Sequence, residues 1–191
     1  MKRLAIILLG ICSLLGTRTA SAQEAEPARV RDAAARAMVA IQKAQEPWYT
    51  TNKQVCASCH HQYQPALAYR VARDHGVPFT ESIARADATK AFNFSDIDRA
   101  VQYSYVIEPA VDDAYRMVAA NAAGVKPNLT TAIYARLLIS RQNARGDWDG
   151  FHQRPPSSYS PVTMAALGLR AVQVYHHSSQ KAQAEAAVAR A

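Results

Sequence analysis

"NLTTAIYARLLISRQNARGDW", residues 128–148, is the stretch whose reading decides the fold class. Asn128 has the side chain of a helix N-cap, and "LTTAIYARLLISRQ" continues from it as a helix ending near Gln142. The connection that follows, "RQNARGDWDGFHQRPPSSYS", is long, holds Gly146, Gly150 and two prolines, and carries Trp148 and Phe151. Loops of this length within a compact domain are functional or specially packed. Gln142 is expected to bond backbone groups at its helix end, with Trp148 packed over the start of the next helix.

Working outward, Ser160 with Pro161 opens "VTMAALGLRAVQVYHH", where Val162, Ala165, Ala166, Leu169 and Val172 recur at three- and four-residue steps and predict the buried face. Residues 178–191 are polar and Ala-rich, and read as a frayed helix without an apolar face for docking. Upstream, Val30, Ala34, Ala37, Met38 and Ile41 predict an amphipathic helix over 24–46, ended by Pro47. Short helices are expected from Pro65 to Gly76, from the Thr80 cap to Phe92, after Ser95, and from Pro109 to Gly124. No segment alternates as a strand, so the prediction is all-α, about seven or eight helices, in a single domain over residues 23–177.

"MKRLAIILLGICSLLGTRTASAQ" has a basic start, a short apolar run and an A-x-A site, which predicts a signal peptide over residues 1–22 and a periplasmic or secreted product. Cleavage would take away Lys2, Arg3 and Arg18, lowering the net charge from +7 to +4. The charges left are interspersed, with no basic run, so nucleic-acid binding lacks support. No integral membrane segment is expected after cleavage. Cys12 would leave with the signal, and Cys56 and Cys59 alone are no disulfide framework.

Those two cysteines lie in "NKQVCASCHHQYQPALAY", residues 52–69. The C-x-x-C spacing fits a haem tether, a metal clamp, a thiol redox pair or a local disulfide. With His60 directly after Cys59 the motif is a complete C-x-x-C-H: two thiols for the porphyrin vinyl groups and an imidazole for the iron. Haem c on Cys56, Cys59 and His60 is therefore placed first and a disulfide or redox dithiol second. Zinc comes last, because no second cysteine pair completes four ligands.

A second axial ligand would come from Met117, Met164, His152, His176 or His177. His61 is barred by its neighbour, and His75 lies too far along the helix axis. Each of these is explained more simply as core, in the methionines, or as a helix-end residue, in His176 and His177. His61 reads as a residue supporting its neighbour or as plain surface. Tyr103, Tyr105, Tyr115, Tyr134 and Trp148 read first as core aromatics, and Asp112 and Asp113 as solvated or capping acids. Nothing resembles a Ser-His-Asp set or a phosphate-cradling loop.

The spacing Gln142, Gly146, Trp148 is Q-x-x-x-G-x-W, which resembles the repeat of the squalene cyclase and prenyltransferase-like α/α-toroid family. Over roughly residues 47–175 the chain looks like exported bacterial proteins that carry such repeats with an embedded C-x-x-C-H motif. The resemblance implies helical hairpins in part of a toroid, with Gln142 and Trp148 tying consecutive helices together at their ends. A full toroid has more helices than this chain supplies, which implies half a toroid, a homo-oligomer or a truncated member. The family's D-x-D-D acid is absent, since "AVDDAY" has Ala110 where its first acid would stand, so cyclase activity is not expected.

The expectation is thus an exported c-type haem protein for electron transfer or redox sensing, with a redox partner protein. The alternative is a non-catalytic helical binding or scaffolding module pinned by a Cys56–Cys59 disulfide.

Overall fold

A computed structural model describes residues 19–51, 58–102, 113–149 and 160–191. Residues 1–18, Cys56, Tyr103, Tyr105, Asp112 and His152 lie outside the described residues, as does most of the expected signal peptide. Among the described residues all regular structure is helical: the protein is all-α. No described helix is long and apolar enough to cross a membrane.

Helix α1 runs Thr19–Thr51 and is followed by a π-helical turn, Cys59–Tyr63, that leads directly into α2, Gln64–Asp74. Then come α3 (Glu81–Ala91), α4 (Ile97–Gln102), α5 (Tyr115–Ala122), α6 (Leu129–Arg141) and α7 (Pro161–Tyr175). A 3-10 turn, Ser178–Gln180, precedes α8, Lys181–Arg190. α7 packs on α5 and α6, α5 packs on α2, and α1 lies against the π-helical turn, α2 and α3.

Several boundaries follow from local chemistry. Asn128 and Thr131 exchange side-chain-to-backbone bonds of 2.9 Å, a capping box that starts α6. Ser160 accepts the Thr163 amide at 3.3 Å and starts α7, with Pro161 at its first position. Gly124 stops α5 with φ of +89°, a left-handed conformation that glycine adopts without steric cost.

Other expectations need correction. Pro47 does not end α1, which continues one more turn to Thr51. Proline removes one helical bond, but here the turn beyond it is held from outside. Trp48 stacks on His61 at 4.5 Å between centroids, and Tyr49 donates to the Asp87 carbonyl at 3.3 Å. The buried face of α1 also differs. Met38 is buried and Ile41 packs beside it as predicted, but Val30 is exposed, and Gln42 and Gln45 are buried because amides that bond to other segments can be buried as safely as an apolar stripe.

On α7, Val172 is buried as predicted and Leu169 packs against the core, but Val162 and Ala166 are exposed and the buried face also takes in Met164, Gly168, Ala171 and Tyr175. Residues 178–191 do not fray: Ala184 and Ala187 are buried, and Gln180 donates to the Ala132 carbonyl at 3.1 Å. Alanine has little apolar area, but it allows the close backbone approach that such bonds need. Asp113 is buried rather than solvated.

The main core joins Tyr63, Phe92 and Phe94 to Met117, Tyr134, Leu138, Trp148, Met164 and Tyr175. A smaller cluster of Met38, Tyr69, Ala72 and Ala84 lies beneath α1. Met117 and Met164 are core residues, as their helical spacing suggested.

Candidate functional site

The Cys/His segment begins at Ser58. Its hydroxyl accepts the His61 amide at 3.2 Å, while its own amide donates to Gln62 Oε1 at 2.8 Å. These reciprocal bonds make Ser58 a helix cap, so Cys59, His60 and His61 occupy the first helical turn. The helix therefore begins six residues before Pro65, which continues it. The Ser58 and Gln62 spacing was the available signal.

The two histidines are successive residues of this π-helical turn and meet different surroundings. His61 is committed. Its ring lies on Trp48 at an interplanar angle of 5°, its Nδ1 is 3.1 Å from Ser58 Oγ, and its carbonyl accepts Gln45 Nε2 at 2.8 Å. His60 is exposed and has no hydrogen bond among the described residues. Of the two imidazoles, that of His60 is the exposed one, while that of His61 is held through Nδ1 and its ring face. Cys56 lies outside the described residues, and for Cys59 only the backbone position is described. Among the described residues no three His, Cys, Asp or Glu side chains gather into a metal-binding group.

Beside this turn is a cavity of about 340 Å³ between α1, α2 and α3. Gln45, Tyr49, Gln62, Tyr69, Asp87 and Phe92 contribute to its walls; His60 does not. Asp87 is only 8% exposed, and its Oδ2 has no hydrogen-bond partner among the described residues. Burial raises its carboxyl pKa, an effect that the nearby Lys90 ammonium partly offsets. The phenols of Tyr49 and Tyr69 are both pushed up to about 12, by burial first and then by the Asp87 charge. All three groups thus lie within electrostatic reach of one another.

Sequence reasoning missed Asp87. The signal was its place on the α3 face shared with Ala84, Ala88 and Ala91, where a carboxylate interrupts a stripe of small apolar residues.

At the other end of the molecule, Gln142 caps α6, and its Nε2 donates to the carbonyls of Gly146 and Ala187 at 2.8 and 2.9 Å. Trp148 is 2% exposed and donates from Nε1 to the Leu138 carbonyl at 2.8 Å. Its ring covers Gly168, where a Cβ would meet Trp148 Cζ3 at 2.4 Å. The indole therefore packs on the middle of α7, not on its Pro161 end, because glycine there leaves space for it. Gly146, with φ of +87°, lies against the end of α8: a Cβ on it would come within 2.4 Å of the Arg190 carbonyl. The three motif residues do come together, and they clasp α6, α7 and α8.

His176 Nδ1 lies 3.0 Å from the Val172 carbonyl and His177 caps the 3-10 turn, both helix-end roles.

Comparison with known proteins returns no relative. No family model, curated protein or solved structure matches the chain.

Proposed function

We propose that the protein is an exported c-type haem protein, with Cys56 and Cys59 as the thioether residues and His60 as the iron ligand, acting in electron transfer or redox sensing. The observation that carries this reading is the division of labour between the adjacent imidazoles. His61 is fixed by Trp48, Ser58 and Gln45, while His60, the residue that completes C-x-x-C-H, is exposed and unpartnered among the described residues. The donor set fits haem. Bound haem would supply a one-electron iron couple. The chain's own contribution is positional: the Ser58 cap and the Trp48 stack hold the turn, so that the His60 imidazole projects without internal competition.

Co-expression with a cytochrome c maturation system, followed by haem staining and intact-mass analysis, tests this. A porphyrin-plus-iron adduct that Cys56→Ala abolishes is expected. His60→Ala should alter the iron spectrum of whatever haem protein remains, while His61→Ala should leave the spectrum and lower stability. A mature chain with no haem absorbance sinks the reading.

A second reading draws on the clasp. Gln142, Gly146 and Trp148 tie three helices together, which suits a non-catalytic scaffolding module with Cys56 and Cys59 joined. In that case the intact mass falls by two hydrogens and no adduct appears.

A further inference from the structure

We propose that the cavity between α1, α2 and α3 is a binding site for a compact organic ammonium ion, with the Asp87 carboxylate as counter-ion and Tyr49 and Tyr69 as its walls. This inference goes beyond the haem reading and does not depend on it.

The argument starts from which polar groups are already used. Gln42 donates to and accepts from Thr80. Gln45 donates to the His61 carbonyl and accepts the Tyr69 hydroxyl. The Gln62 carbonyl accepts the Ser58 amide. Tyr49 gives its hydrogen to the Asp87 backbone carbonyl. Both phenols give their hydrogens elsewhere and each also takes an amide hydrogen bond, Tyr49 from Gln62 and Tyr69 from Gln42, whereas Asp87 Oδ2, buried in the wall, has no hydrogen-bond partner among the described residues. The buried carboxylate oxygen is thus the wall group left without a donor among the described residues.

None of the nearby cations pairs with Asp87 among the described residues: Arg85, which also lines the cavity, is exposed and acts on Glu81. Arg73 is paired with Glu81 at 2.7 and 3.0 Å and lies over the Phe79 ring. Lys90 is exposed, with Nζ 4.7 Å from the centroid of the Tyr49 ring, and makes no ion pair with Asp87 among the described residues. A buried carboxylate without a partner is costly, and an ammonium ion offsets that cost directly. Its N–H groups match Asp87 Oδ2 and the phenol oxygens, and aromatic faces attract cations. The volume, about 340 Å³, lies at the small end of ligand sites, which fixes the ligand as compact. An anion would meet the carboxylate, and a neutral hydroxyl compound would leave its charge uncompensated.

Benzylammonium, benzyl alcohol and benzoate form a series of similar shape and different charge. Titrated into the mature protein by calorimetry and followed by amide chemical shifts, benzylammonium should bind saturably. Benzyl alcohol should bind weaker by about tenfold or more, and benzoate not at all. Asp87→Asn should weaken benzylammonium by a similar factor without lowering the melting temperature, because no hydrogen bond to the carboxylate is lost. Should that variant fail to fold, the wild-type series still decides. Absence of saturable benzylammonium binding, equal binding of the alcohol, or unchanged binding by a folded Asp87→Asn protein overturns the proposal.

Discussion

Asp147 and Asp87 are buried to the same degree, each 8% exposed, yet the chain treats them in opposite ways. Asp147, within the clasp, accepts from the Asn143 amide and from Arg145 at 3.2 and 3.3 Å, and the Asn143 bond leads in holding its carboxyl below the usual range. Asp87, beside the Cys/His turn, has an oxygen in a cavity wall with no hydrogen-bond partner among the described residues, and burial pushes its carboxyl pKa up. Burial alone therefore does not set the state of a carboxylate; the donors that the fold brings to it do. Where the donors are complete the region is a structural joint. Where they are missing among the described residues, a cavity lies beside the carboxylate.

The largest effect that can break this comparison is at Trp148. If the clasp is a joint, Trp148→Ala should cost about 3–5 kcal/mol, or about 6–20 °C in melting temperature for a chain of this length. A melt within a degree or two of wild type would show that the indole is dispensable. A smaller and sharper effect is expected at Gly168. Alanine there gains up to about 1 kcal/mol of helix propensity but forces its Cβ into the indole, at about 1–3 kcal/mol for overpacking, so the net change should be destabilising. In the Trp148→Ala background the clash is gone and the same substitution should stabilise. Only direct contact between the two positions predicts that change of sign.

Much of the helical framework was legible in the sequence because its punctuation is local: Asn128, Ser160 with Pro161, and Gly124 act within one turn of where they stand. The motif Gln142, Gly146, Trp148 was legible as a clasp, but its target was not, since the bare surface at Gly168 becomes a socket only when α7 lies beside the loop. The burial of Gln42 and Gln45 was hidden for a related reason. A hydropathy pattern scores an amide as exposed, and its partners, the Thr80 and His61 carbonyls, come from other elements. The docking of α8 and the isolation of Asp87 were hidden likewise, because small residues and acids carry no mark of the neighbours they will meet. His60 could be singled out from C-x-x-C-H alone, whereas the role of His61 needed Trp48 beside it.

The smallest effect separates the two aspartates by the sign of their pH dependence. A carboxyl whose folded pKa is raised favours the folded state while protonated. Asp87 therefore contributes stability below the unfolded value of about 3.9 and loses it as pH rises through its higher folded value. At neutral pH the charge is a burden, and Asp87→Asn should melt above wild type, the two curves converging on acidification toward about 3.9. Asp147 has the opposite sign: its folded pKa is lowered, so its contribution is present above about 3.9 and is lost as pH falls through the folded value. Asp147→Asn should melt below wild type at neutral pH and converge only on the acid side of that value. Added salt should shrink the Asp147 difference in particular, because Arg145, one of its partners, is largely exposed and easily screened. Melting curves of the three proteins between neutral and acid pH, at low and high salt, measure all of this. If both substitutions shift the melting temperature in the same direction at neutral pH, the two carboxylates do not differ as their partners require, and the open donor position at Asp87 is filled in solution by a group of the protein itself.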